Sequence, residues 1–188
     1  MSDIILTLDE LEELFYDLTV SILGGSPDAD VRRSWPTGGA PAFDILDNVV
    51  FFKVYDMPGP LTVQRENKYS QLSSPVTPNM ATRYTRTLMV NWIFYGSAAW
   101  DHATLIRNGL FYQDHHDTLA RQDIYLVPDF TPPKRVPELF QGLWYERMDL
   151  SVSFNELIEI NRTVPALESA EIIINDYSGV KAVIDITE

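Results

Sequence analysis

The alternation of apolar and polar residues divides the chain into helical and extended stretches. Apolar residues recur at helical spacing from Leu8 to Ile22, behind a capping box formed by Thr7 and Glu10. Gly24 and Gly25 then predict the end of this helix. A second helix is predicted after Gly96, with Ser97 as its N-cap, ending near Tyr112 or continuing irregularly through Leu119.

Seven other stretches have the composition or the two-residue period of strands. Residues 49–55 are β-branched and aromatic, and we expect them to form a loose hairpin with residues 61–71. In residues 84–95 the apolar side chains alternate, and a long strand is predicted over 143–156. A short strand at 124–127 and a terminal hairpin of 171–175 with 180–186 complete the set.

Three segments rich in proline, glycine and polar residues separate these elements. Residues 24–47, 72–82 and 128–140 are predicted to be loops or extended arms, because proline can neither donate to a sheet nor sit inside a helix. The order of elements predicts a single α+β domain over residues 1–188. Its mostly antiparallel sheet is flanked by two main helices and carries extended proline-rich loops.

Composition and charge exclude several classes of function. The chain has 188 residues, 27 acidic against 14 basic, and a net charge of −13, which is unfavourable for tight binding of nucleic acid. It has no cysteine, which excludes disulfides and thiolate chemistry. Neither a signal peptide nor a transmembrane helix is expected, since no uncharged apolar stretch is long enough.

The most conspicuous candidate for chemistry is the run Asp114-His115-His116-Asp117. On a helix, residues three or four apart share a face, and neither histidine meets another ligand at that spacing. No zinc, nucleophile-elbow or phosphate-loop motif is present. We therefore expect a solvated helix end with no catalytic residue, no metal and no cofactor. A small metal-dependent hydrolase or binding protein that uses these four residues is the alternative.

Aromatic residues at element ends and in extended segments indicate an interface instead. The set comprises Trp35, Trp100, Phe111, Tyr112, Phe130, Phe140, Trp144 and Tyr145. Aromatic and arginine side chains are enriched at the centres of interfaces. The candidate assembly residues are Trp35, Phe130, Arg135 and Phe140, with Arg135 expected to pair with an acidic residue of a neighbour and Lys134 expected to be solvated.

Several runs of the sequence resemble the neck or tail-terminator proteins of tailed bacteriophages. They are RRSWPTGGAPAFD, TVQRENKY, RTLMVNWIFYGSAAWDHATLIRNGLF and, most specifically, YLVPDFTPPKRVPELFQGLWYERMDLSVSFNE. The resemblance covers about residues 30 to 160. It implies a structural virion protein without catalytic residues, which forms a ring, typically of six copies, at the neck.

The resemblance also implies partners and a location. The ring would terminate the tail tube and contact the tube protein and the head–tail connector or adaptor proteins. Genomic DNA would pass through it without sequence-specific binding, no membrane would be involved, and assembly would take place in the host cytoplasm. A connector adaptor or a tail tube subunit is the nearer alternative within the same class.

Overall fold

The computed structural model describes residues 5–24, 29–34, 43–44, 46–70, 79–164, 169–176 and 179–187. Its contacts group the chain into two units. The larger comprises Ile5–Gln64 and Tyr84–Ile158, and the smaller comprises Met1–Ile4, Arg65–Arg83 and Glu159–Glu188. Whether the whole chain behaves as the single domain predicted above stays a prediction.

The described residues form four helices and eleven strands. The helices are α1 (Leu8–Ile22), α2 (Pro60–Val63), α3 (Ala99–Gly109) and α4 (Gln113–Ala120). The strands are β1 (Asp30–Arg33), β2 (Val49–Met57), β3 (Glu66–Ser70), β4 (Asn79–Tyr95), β5 (Ile124–Leu126), β6 (Lys134–Arg135), β7 (Glu138–Phe140), β8 (Leu143–Tyr145), β9 (Arg147–Thr163), β10 (Ser169–Asp176) and β11 (Gly179–Thr187). The predicted α+β class with a mostly antiparallel sheet is confirmed.

The main sheet has the strand order β1-β2-β4-β9-β5, and β6 also pairs with β9. β2 runs antiparallel to β4, and β1 runs parallel to β2. Side-chain contacts join Met89 to Ser153 and Thr87 to Asn155. Lower residue numbers in β4 are therefore paired with higher residue numbers in β9. That order is the signature of an antiparallel pair.

The core of the larger unit lies between one face of this sheet and the helices. Leu88, Val90, Trp92 and Phe94 alternate along β4 and are fully buried, as their two-residue period predicts. Phe15 of α1 meets the ring of Trp92 edge-on, with ring centroids 6.4 Å apart. Apolar residues of α3 and α4 join the same cluster, so the three longer helices cover the same face.

The start of α1 follows the sequence prediction in detail. Thr7 is the N-cap: its Oγ1 accepts from the Glu10 N–H at 3.3 Å, and the Glu10 carboxylate accepts from the Thr7 N–H at 2.8 Å. These hydrogen bonds lower the pKa of Glu10. The helix ends at Ile22, and Gly24 follows with φ +69°, a conformation that glycine adopts without strain.

In the smaller unit, β3 pairs antiparallel with the first part of β4, from Glu66 opposite Arg83 to Ser70 opposite Asn79. Within the same unit, Arg83 Nε donates to Glu159 Oε2 at 2.5 Å. The strands β10 and β11 form an antiparallel hairpin of their own, with a register irregularity at Ile174 and Asn175. The terminal hairpin predicted from the sequence is therefore confirmed.

Two predicted elements differ in detail from the structure. Residues 61–71 do not pair with β2; their first part is the short helix α2, and β3 pairs with β4. The second helix starts at Ala99, because the Ala98 N–H bonds to Asn48 Oδ1 at 2.9 Å and Ser97 is not the cap. Of the two predicted endings, the irregular continuation through Leu119 is present: after a break between Gly109 and Gln113 the chain forms the separate helix α4.

The predicted loops and the predicted strand over 143–156 also differ from the structure. The segment 24–47 contains β1, the end of 72–82 belongs to β4, and 128–140 contains β6 and β7. The strand over 143–156 is interrupted at Glu146 into β8 and β9. Trp144 lies before this break and is exposed.

Candidate assembly surface

The cluster of Asp114 to Asp117 lies in α4, where His115 ties three helices together. Its Nδ1 donates to the Gly109 carbonyl at the end of α3, at 2.7 Å, because a carbonyl can only accept. Its Nε2 lies 3.4 Å from Ser21 Oγ of α1, which leaves Nε2 as the acceptor in the neutral ring. The ring also stacks on Tyr112, with centroids 6.0 Å apart. Both nitrogens are therefore used in holding helices.

The other members of the cluster do not converge on one point. Asp117 Oδ1 accepts from Gln113 Nε2 at 2.7 Å, one helical turn away. His116 Nε2 is buried and has no hydrogen-bond partner among the described residues. Within that part of the chain, no group of three or more metal-ligating side chains is placed to hold a metal ion. The cluster therefore holds helices together, and among its described imidazole nitrogens the buried one without a hydrogen-bond partner is His116 Nε2.

A tight hairpin made of β7 and β8 presents apolar side chains to solvent. Its two-residue turn is Gln141 and Gly142, with φ of 50° and 82°, the positive values that a type I′ turn requires. Leu139 and Trp144 lie directly opposite each other across the two strands. They are 57% and 65% exposed. Because they alternate with Glu138 and Tyr145, the hairpin has an outer apolar face and an inner anchored face.

The inner face of this hairpin is held by a hydrogen-bonded network. Glu138 Oε2 accepts from the Tyr95 hydroxyl at 2.8 Å and from Arg147 Nη1 at 3.1 Å. Arg147 also makes a bidentate pair with Asp149, with N–O distances of 2.7 and 2.9 Å. Such charge-assisted bonds fix direction as well as distance. The outer face of the hairpin is therefore presented in a fixed orientation.

The same network shifts three pKa values. The hydrogen bond from Tyr95, and to a smaller extent Arg147, lowers the pKa of Glu138. Burial, together with that bond, raises the pKa of Tyr95 to about 12. The hydrogen bond to Asp149 raises the pKa of Arg147. All three groups therefore keep their bonding forms across the neutral range.

Aromatic packing strengthens the anchor. Tyr145 meets Tyr95 edge-on, with centroids 6.4 Å apart, and meets Phe43 at 6.1 Å. Phe43 also contacts Phe51 and Tyr95 at 5.6 and 5.2 Å. An isolated hairpin of three-residue strands is marginal in water, so these contacts on one face are what allow Trp144 to stand exposed on the other.

The four residues proposed from the sequence occupy different environments. Phe130 is partly buried and stacks on Phe111, with centroids 5.6 Å apart and planes 17° from parallel. Arg135 is in β6, is 67% exposed and pairs with Glu146 of the same chain at 3.0 Å. Phe140 ends β7, opposite Leu143. Trp35 lies outside the described residues.

Four further exposed apolar side chains lie in α3 or directly after it. Trp100, Leu105, Phe111 and Tyr112 are each about half exposed or more. Three of these four were identified from the sequence as aromatics at element ends. Leu139 was missed because the β7–β8 hairpin was not predicted. The glycine at 142, between the apolar runs ELF and LWY, is the signal that could have revealed it.

A family model described as "Phage neck terminator protein" matches residues 9–178, which is nearly the whole chain. No curated protein matches the sequence. The matched range takes in the hairpin, the proline-rich segment and α3.

Proposed function

The chain belongs to the phage neck terminator family, and we propose that copies of it form a ring, of six subunits, which closes the tail tube. Membership makes it a structural protein of the phage neck. In our proposal the ring contacts the tail tube protein on one side and the head–tail connector or adaptor proteins on the other. It assembles in the host cytoplasm and performs no catalysis.

The observation that carries this proposal is the anchored hairpin with Leu139 and Trp144 on its outer face. The exposed Trp144 lies opposite the exposed Leu139 on a hairpin that Glu138 anchors. In an isolated monomer, exposure of these two apolar side chains to water costs free energy. Aromatic residues in a rigid setting make good anchors because little conformational entropy is lost on binding. The hairpin, with Trp35, Phe130, Arg135 and Phe140, is the contact surface we propose between subunits or with neighbouring proteins.

Charge supports a passage for DNA. With a net charge of −13, the subunit cannot offer many unpaired cations to phosphates, and counterion release on contact would be small. DNA would then move past the ring without being held. A connector adaptor or a tube subunit would share these features, so the direct test is what the protein assembles with.

The assembly test uses native mass spectrometry and negative-stain microscopy, with and without purified tail tubes. We expect rings, or rings on the ends of tubes. Trp144→Ala should weaken assembly about tenfold or more, as loss of an interface anchor does, while leaving the fold intact because the indole is exposed. Val63→Ala removes another exposed apolar side chain and serves as the matched control. A strictly monomeric protein that ignores tail tubes would refute the proposal.

A second test concerns Arg135, with its neighbour as the control. Arg135 and Lys134 are adjacent, exposed cations of β6. Arg135→Ala removes an exposed ion pair whose intramolecular value is small, about 0–1 kcal/mol. If the guanidinium also contacts a neighbouring subunit, assembly weakens in Arg135→Ala and not in Lys134→Ala. Equal behaviour of the two variants would remove Arg135 from the interface.

A further inference from the structure

Among the described residues, the two end strands of the main sheet of the larger unit, β1 and β5, each have one side that pairs with no other strand. Along the strand order β1-β2-β4-β9-β5, each pairs with one neighbour, and no other described strand lies against its outer side. An open strand edge presents N–H and C=O groups that can pair with another chain. The two ends are different surfaces of the same sheet.

The hydrogen bonds show which groups of β5 point outwards. The Leu157 N–H donates to the Asp123 carbonyl, and the Val127 N–H donates to the Ser153 carbonyl, both at 3.0 Å. In an antiparallel pair, alternate residues bond to the partner. Tyr125 therefore also bonds towards β9. The backbone groups of Ile124 and Leu126 point to the open side.

The same argument applies to β1. The Asp30 N–H donates to the Asn48 carbonyl at 3.0 Å, and the Ser34 N–H donates to the Phe52 carbonyl at 2.7 Å. Asp30 and Arg32 therefore bond towards β2. The backbone groups of Val31 and Arg33 point outwards. Each open edge thus offers two residues for pairing.

A groove lies between α4 and β5. Its helical wall is the face made by Gln113, His116, Asp117 and Ala120, which share a side because they are spaced three and four apart. The space between helix and strand is about 270 Å³. The unpartnered Nε2 of His116 and the exposed carboxylate of Asp117 belong to this wall, so the groove is equipped to bond to a polar chain.

We propose that β1 of a second copy adds to β5 in this groove, antiparallel and head to tail. In that register Ile124 lies opposite Arg33 and Leu126 lies opposite Val31, so both outward pairs form hydrogen bonds. Tyr125 then lies opposite Arg32. Asp117 is the carboxylate of the groove wall, and Arg33 lies on the same face of β1 as Val31, so these two opposite charges would meet. Arg33 would then add Asp117 to its partners Glu12 and Glu13 in its own chain. The inference rests on the self-assembly proposed above and assigns the edges that would meet.

The faces of the strands make this register testable. Ile124 and Leu126 pack in or against the core and Tyr125 alternates with them, so Tyr125 is on the other face. Val31 also packs against the core, which places Arg32 on that same other face. Residues directly opposite in adjacent strands have Cα atoms about 4.5–5.5 Å apart, within the range a disulfide spans.

Because the chain has no cysteine, an introduced pair reports on one contact only. Full-length Tyr125→Cys and Arg32→Cys are mixed under mild oxidation, and we expect a disulfide-linked dimer of one copy of each. Neither variant alone should form it, since the contact is head to tail. Val31→Cys, one residue away but on the core face, is the control and should not link to Tyr125→Cys.

The outcomes separate this inference from the proposed function. Rings by native mass spectrometry without the mixed disulfide would overturn the inference and leave the ring in place. Linkage of Tyr125→Cys with itself would overturn it too, because that contact would be symmetric. A strictly monomeric protein would overturn both proposals.

Charge reversal in the groove gives an independent test. Asp117→Lys places a cation in the α4 wall, on the core face of the sheet, where Arg33 of the incoming β1 would lie, and we expect the dissociation constant for self-association to rise about tenfold. Asp114→Lys makes the same change on α4 at a residue that does not line the groove, and should have little effect. Equal effects of the two variants would show that total charge matters, and would contradict the proposal that the incoming strand binds in the groove.

Discussion

At the scale of single residues, Thr19 joins helix α1 to the centre of the sheet. Its hydroxyl donates to the Phe15 carbonyl at 2.6 Å and accepts from the indole N–H of Trp92 at 2.9 Å. Thr19 and Trp92 are both fully buried. A buried indole N–H without a partner keeps its full desolvation cost. The Thr19 hydroxyl therefore determines whether the indole N–H of Trp92, the largest core side chain, has a hydrogen-bond acceptor.

Replacing Thr19 with valine keeps the shape and removes that acceptor. We expect Thr19→Val to lower the free energy of unfolding by about 1–3 kcal/mol, measured by urea denaturation. Thr118→Val is the control, because Thr118 makes the same kind of bond to the carbonyl four residues earlier but is exposed. Equal losses in the two variants would mean that the bond to Trp92 contributes nothing.

Glu138 gives a residue-scale prediction about pH. Its pKa is lowered in the folded protein, so its contribution to stability is present above the unfolded pKa and is lost as pH falls through the folded value. The wild type should therefore lose stability on acidification below about pH 4.5, the ordinary value for a glutamate. In Glu138→Gln this part of the pH dependence should be absent.

The measurement is the thermal midpoint of unfolding between pH 3 and 7, values chosen to bracket the ordinary range of carboxylates. Glu156 provides the contrast. Burial raises its pKa, although Arg86 Nη2 lies 2.6 Å from its carboxylate, so its contribution falls as pH rises through the folded value. Parallel pH curves for wild type and Glu138→Gln would show that the network does not stabilise the fold.

At the scale of elements, the turn from β4 into α3 depends on Gly96. Its φ is +94°, and a Cβ there would lie 2.5 Å from the Asp47 carbonyl oxygen and from Asn48 Oδ1. The same Asn48 oxygen accepts from the Ala98 N–H and begins α3. A side chain at Gly96 would therefore both strain the turn and displace the group that starts the helix.

We expect Gly96→Ala to destabilise the fold by about 1–3 kcal/mol, the range for a strained backbone conformation. Gly24→Ala separates the two causes, because Gly24 also has positive φ but a Cβ there would meet nothing within 4 Å. The difference between the variants in thermal unfolding measures the clash at Asp47 and Asn48. Identical midpoints would leave backbone strain as the whole effect.

Most elements can be predicted from local pattern, and the errors arise where contacts are distant in sequence. The capping box at Thr7, the alternation in β4 and the terminal hairpin are local, and they were predicted correctly. The partner of β2 was not, because β4 is separated from it by α2, β3 and the residues before Asn79. The break between α3 and α4 also has a long-range component, since His115 bonds to Ser21 of α1.

The candidate surface shows the same limit. The positions of the aromatics identified Trp100 and Trp144 as interface candidates, since aromatic residues are enriched at the centres of interfaces. They did not predict that Leu139 would lie opposite Trp144, because that depends on the two-residue turn at Gln141. The network of Tyr95, Glu138 and Arg147 was missed for the same reason, as Tyr95 lies more than 40 positions from Glu138 in the sequence.

At the scale of the whole molecule, charge limits how well the protein can bind DNA. Several cations are already paired within the chain: Arg33 with Glu12 and Glu13, Arg86 with Glu156, and Arg147 with Glu138 and Asp149. A paired guanidinium must give up its carboxylate to hold a phosphate. The protein therefore has little capacity for phosphate contacts, beyond what a net charge of −13 already implies.

We accordingly expect no binding of duplex DNA at physiological salt, even with an affinity as weak as the ~10⁻⁴–10⁻⁶ M of ordinary non-specific binding. Fluorescence anisotropy of a labelled duplex, titrated with the assembled protein at several salt concentrations, measures this. Assembly is essential to the test, because a ring places many subunits around one duplex and multiplies any weak contact. Affinity that falls steeply with added salt would reveal clustered phosphate contacts, and the ring would then hold the DNA it is proposed to let pass.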